Sequence, residues 1–169
     1  MPEKRTIQRA RKDKRQGKAA STQAGEFVRE EIGHIREGKH GARSTKQAIA
    51  IGLSMARRAG VNLKPPKKGM TSEKTRKSAA SAYARGHGAP ARAKASPKRS
   101  RATLQALKRE GRAAASPRAL AKQAHAAAGR RSSSQRSASA RRAVRTKGPA
   151  ERSAAARKAA RTREMHSHA

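Results

Sequence analysis

Only one stretch of this chain concentrates apolar side chains at helical spacing: Ser44 to Val61, S-T-K-Q-A-I-A-I-G-L-S-M-A-R-R-A-G-V. Any folded core has to be built against it. Ser44 with Gln47 has the S-x-x-Q form of a capping box, so a helix should begin there. Ile49, Gly52, Leu53, Ala56 and Ala59 follow at three- and four-residue steps, with Ile51 and Met55 widening the stripe. Arg57 and Arg58 suit the negative end of the helix, and Gly60 can adopt the left-handed conformation that ends one.

The stripe needs a cover, and the nearest candidate is Gln23 to Glu37, Q-A-G-E-F-V-R-E-E-I-G-H-I-R-E. Phe27, Val28, Ile32 and Ile35 are expected on one face, with Glu26, Glu30 and Glu31 in the early turns. Gly38 to Arg43 is short enough to return the chain antiparallel, and Lys64-Pro65-Pro66 stops the second helix. The expectation is a helical hairpin over 21–63 with a core or partner face of Phe27, Val28, Ile32, Ile35, Ile49, Leu53 and Ala56. Lys46, Arg57 and Arg58 are expected on its solvated face. Its few large apolar residues imply a unit marginal alone, pairing with a second copy or a partner.

Gly38-Lys39-His40 together with S-T-K-Q-A-I-A-I-G-L-S-x-A-R-R-A-G resembles a family of small, basic bacterial proteins of unassigned function. The resemblance spans roughly the hairpin. It implies a bacterial origin and brings no activity with it.

Charge governs the rest. The 169 residues hold 44 Lys and Arg against 10 Asp and Glu, with one Phe, one Tyr and no Trp. From Gly25 to Leu63 there are seven basic and four acidic residues, whereas Lys64 to Ala169 carries 29 basic and four acidic. So few large apolar residues and so much like charge argue against compact folding of the whole chain. The expected fold is therefore mostly α and largely disordered: a basic arm over 1–20, the hairpin over 21–63, and a basic, helix-prone tail over 64–169.

The arm, Pro2 to Gln16, reads either as unstructured or as a nearly all-polar helix formed along a phosphate backbone. In the tail, Thr71 to Arg85 reads as a helix capped by Thr71 or Ser72. Ser96-Pro97-Lys98 and Ser116-Pro117-Arg118 each place a capping serine before a proline suited to the first helical position, 20 residues apart. Arg136 to Thr146 and Arg152 to Thr162 then repeat, with eight of eleven positions identical at a 16-residue offset. Copies with no apolar surface cannot stack as a solenoid, so the repetition multiplies cations. The S-P-K and S-P-R units and alanine-rich basic runs resemble linker-histone tails and bacterial histone-like proteins. The departure is in the cations, with 27 Arg against 17 Lys.

A polycation needs a polyanion, and nucleic acid is the first candidate. The residues expected to meet phosphate are Arg9, Arg11, Lys12, Lys14 and Arg15 in the arm. In the tail they are Lys98, Arg99, Arg101, Arg118, Arg130, Arg131, Arg136, Arg141, Arg142, Arg145, Arg152, Arg157, Lys158, Arg161 and Arg163. Duplex DNA is the first reading, with RNA as the second, because single-strand binders need aromatic stacking platforms that are scarce here. The function expected is a histone-like, nucleoid-associated DNA-binding protein in the cytoplasm. The alternative is a protein-interaction hairpin tethered to nucleic acid by its tail, in a repair or ribosomal assembly.

Other chemistry is set aside. No cysteine is present, which excludes disulfides and thiolate zinc sites. His34 and His40 do not share a helix face in the sequence reading, with no acidic residue between them beyond Glu37, and His166 and His168 read as solvated, so no metal site and no cofactor are expected. Catalysis needs a rigid, desolvated pocket, and membrane insertion needs large apolar residues opposite the cations. Neither an enzyme with a small-molecule substrate nor a membrane-active helix is expected.

Overall fold

The computed structural model describes residues 2–90 and 96–167, with side chains of 2–90 and 96–165. These residues form eight α helices: α1 (Lys4–Arg15), α2 (Ala20–Arg36), α3 (Thr45–Arg58), α4 (Glu73–Gly86), α5 (Pro97–Arg109), α6 (Pro117–Gly129), α7 (Ser133–Thr146) and α8 (Pro149–Ser167). A 3₁₀ turn lies at Ala113–Ala115. The chain divides into two compact units, Met1–Ala126 and Ala127–Ala169. His168 lies outside the described residues, as does the side chain of His166.

This corrects the expectation of a largely disordered chain around a lone hairpin. Helix forms nearly throughout because alanine pays no side-chain entropy in a helix, and because the serines and prolines that punctuate the sequence supply caps and starts. Ser72 Oγ accepts from the Thr75 amide at 3.3 Å, and Ser116 Oγ from the Ala119 amide at 3.2 Å. Ser132 and Gln135 complete a reciprocal capping box at the start of α7. Ser96, expected as a cap, makes no side-chain cap bond, and α5 begins at Pro97 without one.

The hairpin itself is present. Ser44 Oγ accepts from the Gln47 amide at 3.2 Å, and Gln47 Oε1 accepts from the Arg43 amide at 2.9 Å. Gly38 and Gly60 are left-handed, with φ of 78° and 84°. Its faces are covered by elements read as arm and tail. α1 packs on α2 and α4 on α3, while the 3₁₀ turn sits against both α2 and α3.

Two small cores result. Ile32, Ile35, Ala42 and Ala48 pack with Ala114 and Ala115 of the 3₁₀ turn, flanked by Val28 and Leu120. Phe27, Ala24, Ala56 and Val61 pack with Ala10 of α1, flanked by Ile7, Leu53 and Met55. The expected single face is thus split, and Ile49 is only half-buried. The Ile32 and Ile35 face, part of the surface expected to pair with a second copy or a partner, packs against the chain's own 3₁₀ turn.

Small residues allow this closeness. A Cβ on Gly52 would lie 2.7 Å from Val28 Cα, and one on Gly86 would run into the Arg57 carbonyl. Backbones that near gain dispersion contacts without large side chains. Gly52→Ala is therefore expected to force α2 from α3 and cost about 1–3 kcal/mol. A shift of the urea midpoint measures it.

Candidate nucleic-acid interface

All twenty basic residues expected to meet phosphate are exposed. Their surroundings differ. On α1, Arg9 Nε donates to Glu26 Oε2 at 2.6 Å and its Nη2 to Thr6 Oγ1 at 3.1 Å, so this side chain buttresses α1 on α2. Lys12 and Arg15 lie on α1 away from buried Thr6, Ala10 and Asp13, while Arg11 and Lys14, also exposed, border the cleft against α2. The arm is thus a docked helix: Glu3 donates its amide to Glu30 Oε1 of α2 at 2.9 Å.

α5 carries Lys98, Arg99 and Arg101 without a buried residue of its own. Its end is attached through backbone bonds, from the Gly41 amide to the Leu107 carbonyl at 2.9 Å and from the Ala42 amide to the Gly111 carbonyl at 3.2 Å. Arg118 follows in the first turn of α6.

The second unit, residues 127–169, is different in kind. It has twelve basic residues against Glu151 and Glu164, and every described side chain from Ala127 to Met165 is exposed. The repeat places Arg141 and Arg145 one turn apart on α7, and Arg157 and Arg161 one turn apart on α8, separated by about 6 Å along each axis. Like charges at that spacing oppose a helix by a few tenths of a kcal/mol per pair. Alanine and the caps outweigh them. Arg136 spends one Nη on the Arg131 carbonyl at 3.1 Å, which ties down the start of α7.

Two readings of individual residues change. Arg57, expected on the solvated face, is buried, with Nε donating to the Leu63 carbonyl at 3.1 Å and its pKa lowered by burial. Arg58 stays exposed, its pKa lowered by partial burial and then by Arg85. His34 and His40, separated in the sequence reading, lie edge to face with ring centroids 6.3 Å apart, because the turn at Gly38 folds the loop back along α2. Linear spacing within a helix gave no sign of that.

A cleft of about 110 Å³ between α1, α2 and the end of α3 includes Ile7, Phe27 and Val61. It is smaller than the 300–1,000 Å³ typical of small-molecule sites. No helix among the described residues is long and apolar enough to cross a membrane.

Residues 3–68 match the model of a family of unknown function, DUF6496. The match takes in α1, α2 and α3 and ends in the Lys64–Gly69 linker. No curated protein and no solved structure matches the chain.

Proposed function

We propose that the protein is a histone-like, largely sequence-independent DNA-binding protein, acting in the cytoplasm on the nucleoid by neutralising phosphates. The observation that carries this reading is the second unit, where twelve cations stand against two anions on helices whose described side chains are all exposed. Most of its arginines stand exposed, and phosphate is an anion that arginine binds bidentately. The basic outer faces of α1 and α5 add to it.

Duplex is favoured over single strands by the fate of the two aromatic residues. Phe27 is buried in the core, and Tyr83 donates its hydroxyl to Asn62 Oδ1 at 2.7 Å while its ring stacks on His87. Neither is a free platform for bases. The 34 excess charges correspond to about 17 base pairs neutralised per molecule, at two phosphates per pair.

The test is binding of the full-length protein to duplex DNAs of unrelated sequence, duplex RNA and heparin, measured side by side. Affinities within about tenfold across DNA sequences are expected, with DNA compaction near the neutralising ratio. DNA should also raise the thermal midpoint of helix melting, because phosphates relieve the repulsion along α7 and α8. A hundredfold preference for one DNA sequence would refute the reading, and tighter binding to duplex RNA would move it to RNA.

A further inference from the structure

The inner face of α2 holds two buried carboxylates in a strongly basic chain. Glu30 and Glu31 are adjacent and buried, each side chain 2% exposed, beside His34 at 20% and His40 at 15%. Glu30 Oε2 and Glu31 Oε1 are fully buried and accept no hydrogen bond. Buried carboxylate oxygens without donors are costly, and a cation at this corner would offset that cost.

His40 sharpens the point. Its Nδ1 lies 3.1 Å from the Gly41 carbonyl oxygen, and a carbonyl only accepts, so Nδ1 carries the proton. In the neutral ring Nε2 is then a bare lone pair, and it faces Glu31 Oε1 at 3.7 Å. At that separation the two atoms are too far apart for a hydrogen bond. Fixing one imidazole nitrogen on a backbone carbonyl so that the other presents its lone pair is how proteins orient histidine towards a metal.

We propose that Glu31, His34 and His40 form a binding site for a divalent transition-metal ion of the zinc class. One ligand atom from each of the three lies within 4.8 Å of the others. A tetrahedral ion with bonds of about 2.0–2.1 Å needs its ligands about 3.3 Å apart, so small side-chain rotations close the set. Two nitrogens and one carboxylate suit zinc, whereas calcium and magnesium want oxygen throughout. Glu3, Glu30 and His34 form an adjoining set of the same span, with His34 Nε2 at 3.3 Å from Glu3 Oε1 and 3.9 Å from Glu30 Oε1. Those carboxylates lie beside the shared histidine.

The neighbouring cation is engaged mainly at the rim. Lys39 Nζ lies 2.9 Å from Glu37 Oε2 and 3.8 Å from Glu3 Oε1, both at the exposed rim. A dication would offset the two buried carboxylates. It would also tie α2 to the loop that carries α5 through the Gly41 and Ala42 amides, so its role is structural.

The experiment is a titration of the untagged, metal-stripped full-length protein with Zn²⁺, and with Co²⁺ as an optical probe. One equivalent should bind, raising the thermal midpoint by several degrees and giving the visible absorption of tetrahedral Co²⁺. His40→Ala and His34→Ala should each weaken Zn²⁺ by more than the tenfold loss that even an outer-shell change brings. Glu31→Gln keeps shape and removes charge, so it should fold by circular dichroism yet lose the Co²⁺ spectrum. His125→Ala, on exposed α6, should change nothing. Binding of equal strength in wild type and all four variants, or no binding with both histidines lowering stability equally with and without Zn²⁺, would overturn the proposal in favour of a plain histidine–carboxylate ion pair.

Discussion

Raising the salt concentration from 50 to 200 mM is expected to weaken binding to duplex DNA by about 10⁵-fold, a slope near −9 in log K against log salt for about ten phosphates contacted. The effect is large because every contact proposed here is a cation on phosphate, and each one releases counterions when it forms. Replacing Arg141, Arg142, Arg145, Arg157, Lys158 and Arg161 together by Gln should make the slope shallower by about five, at roughly 0.9 per contact. These side chains touch no core, and losing their mutual repulsion should leave the variant at least as helical as the wild type in the absence of DNA. A wild-type slope near −2 would end the phosphate-neutralisation reading. A steep slope unchanged by the six substitutions would instead place the contacts on the first unit, on α1 and α5.

Ala115→Asp is expected to destabilise the first unit by about 3 kcal/mol or more, the cost of a buried charge without a partner. Ala115 is completely buried, its carbonyl accepts from Arg36 Nε at 2.9 Å, and the neighbouring Ala114 carbonyl accepts from Thr45 Oγ1 at 2.7 Å. The 3₁₀ turn is therefore the cover of the Ile32 and Ile35 face, more than 70 residues along the chain from Arg36. Urea denaturation measures the loss. Ala102→Asp, on the exposed face of α5, is the control and should stay within about 0.5 kcal/mol. Equal, small effects from both would mean that residues 97–126 do not fold onto the hairpin.

These two experiments probe what was hardest to read from the chain. The start of α3 at Ser44, the glycine ends at Gly38 and Gly60, and the helix opening after Ser72 were legible because each depends on residues within one turn. Apolar periodicity likewise located α2 and α3. The conclusion that the remainder lacks a fold weighed alanine as a weak hydrophobe. It missed that alanine and glycine let backbones meet, as at Gly52 against Val28, where contact replaces bulk.

By itself, then, the sequence marked the caps, prolines and glycines at which several helices start and stop and placed most cations outward, since those signals act locally and a long charged side chain usually ends in water. Tertiary structure alone decided which elements cover the hairpin, that Arg57 is buried, and that His34, His40 and the two glutamates share one interior corner. Those outcomes depend on how closely small side chains let distant backbones approach, and on a loop turned back by one left-handed glycine. No spacing along the chain encodes either distance.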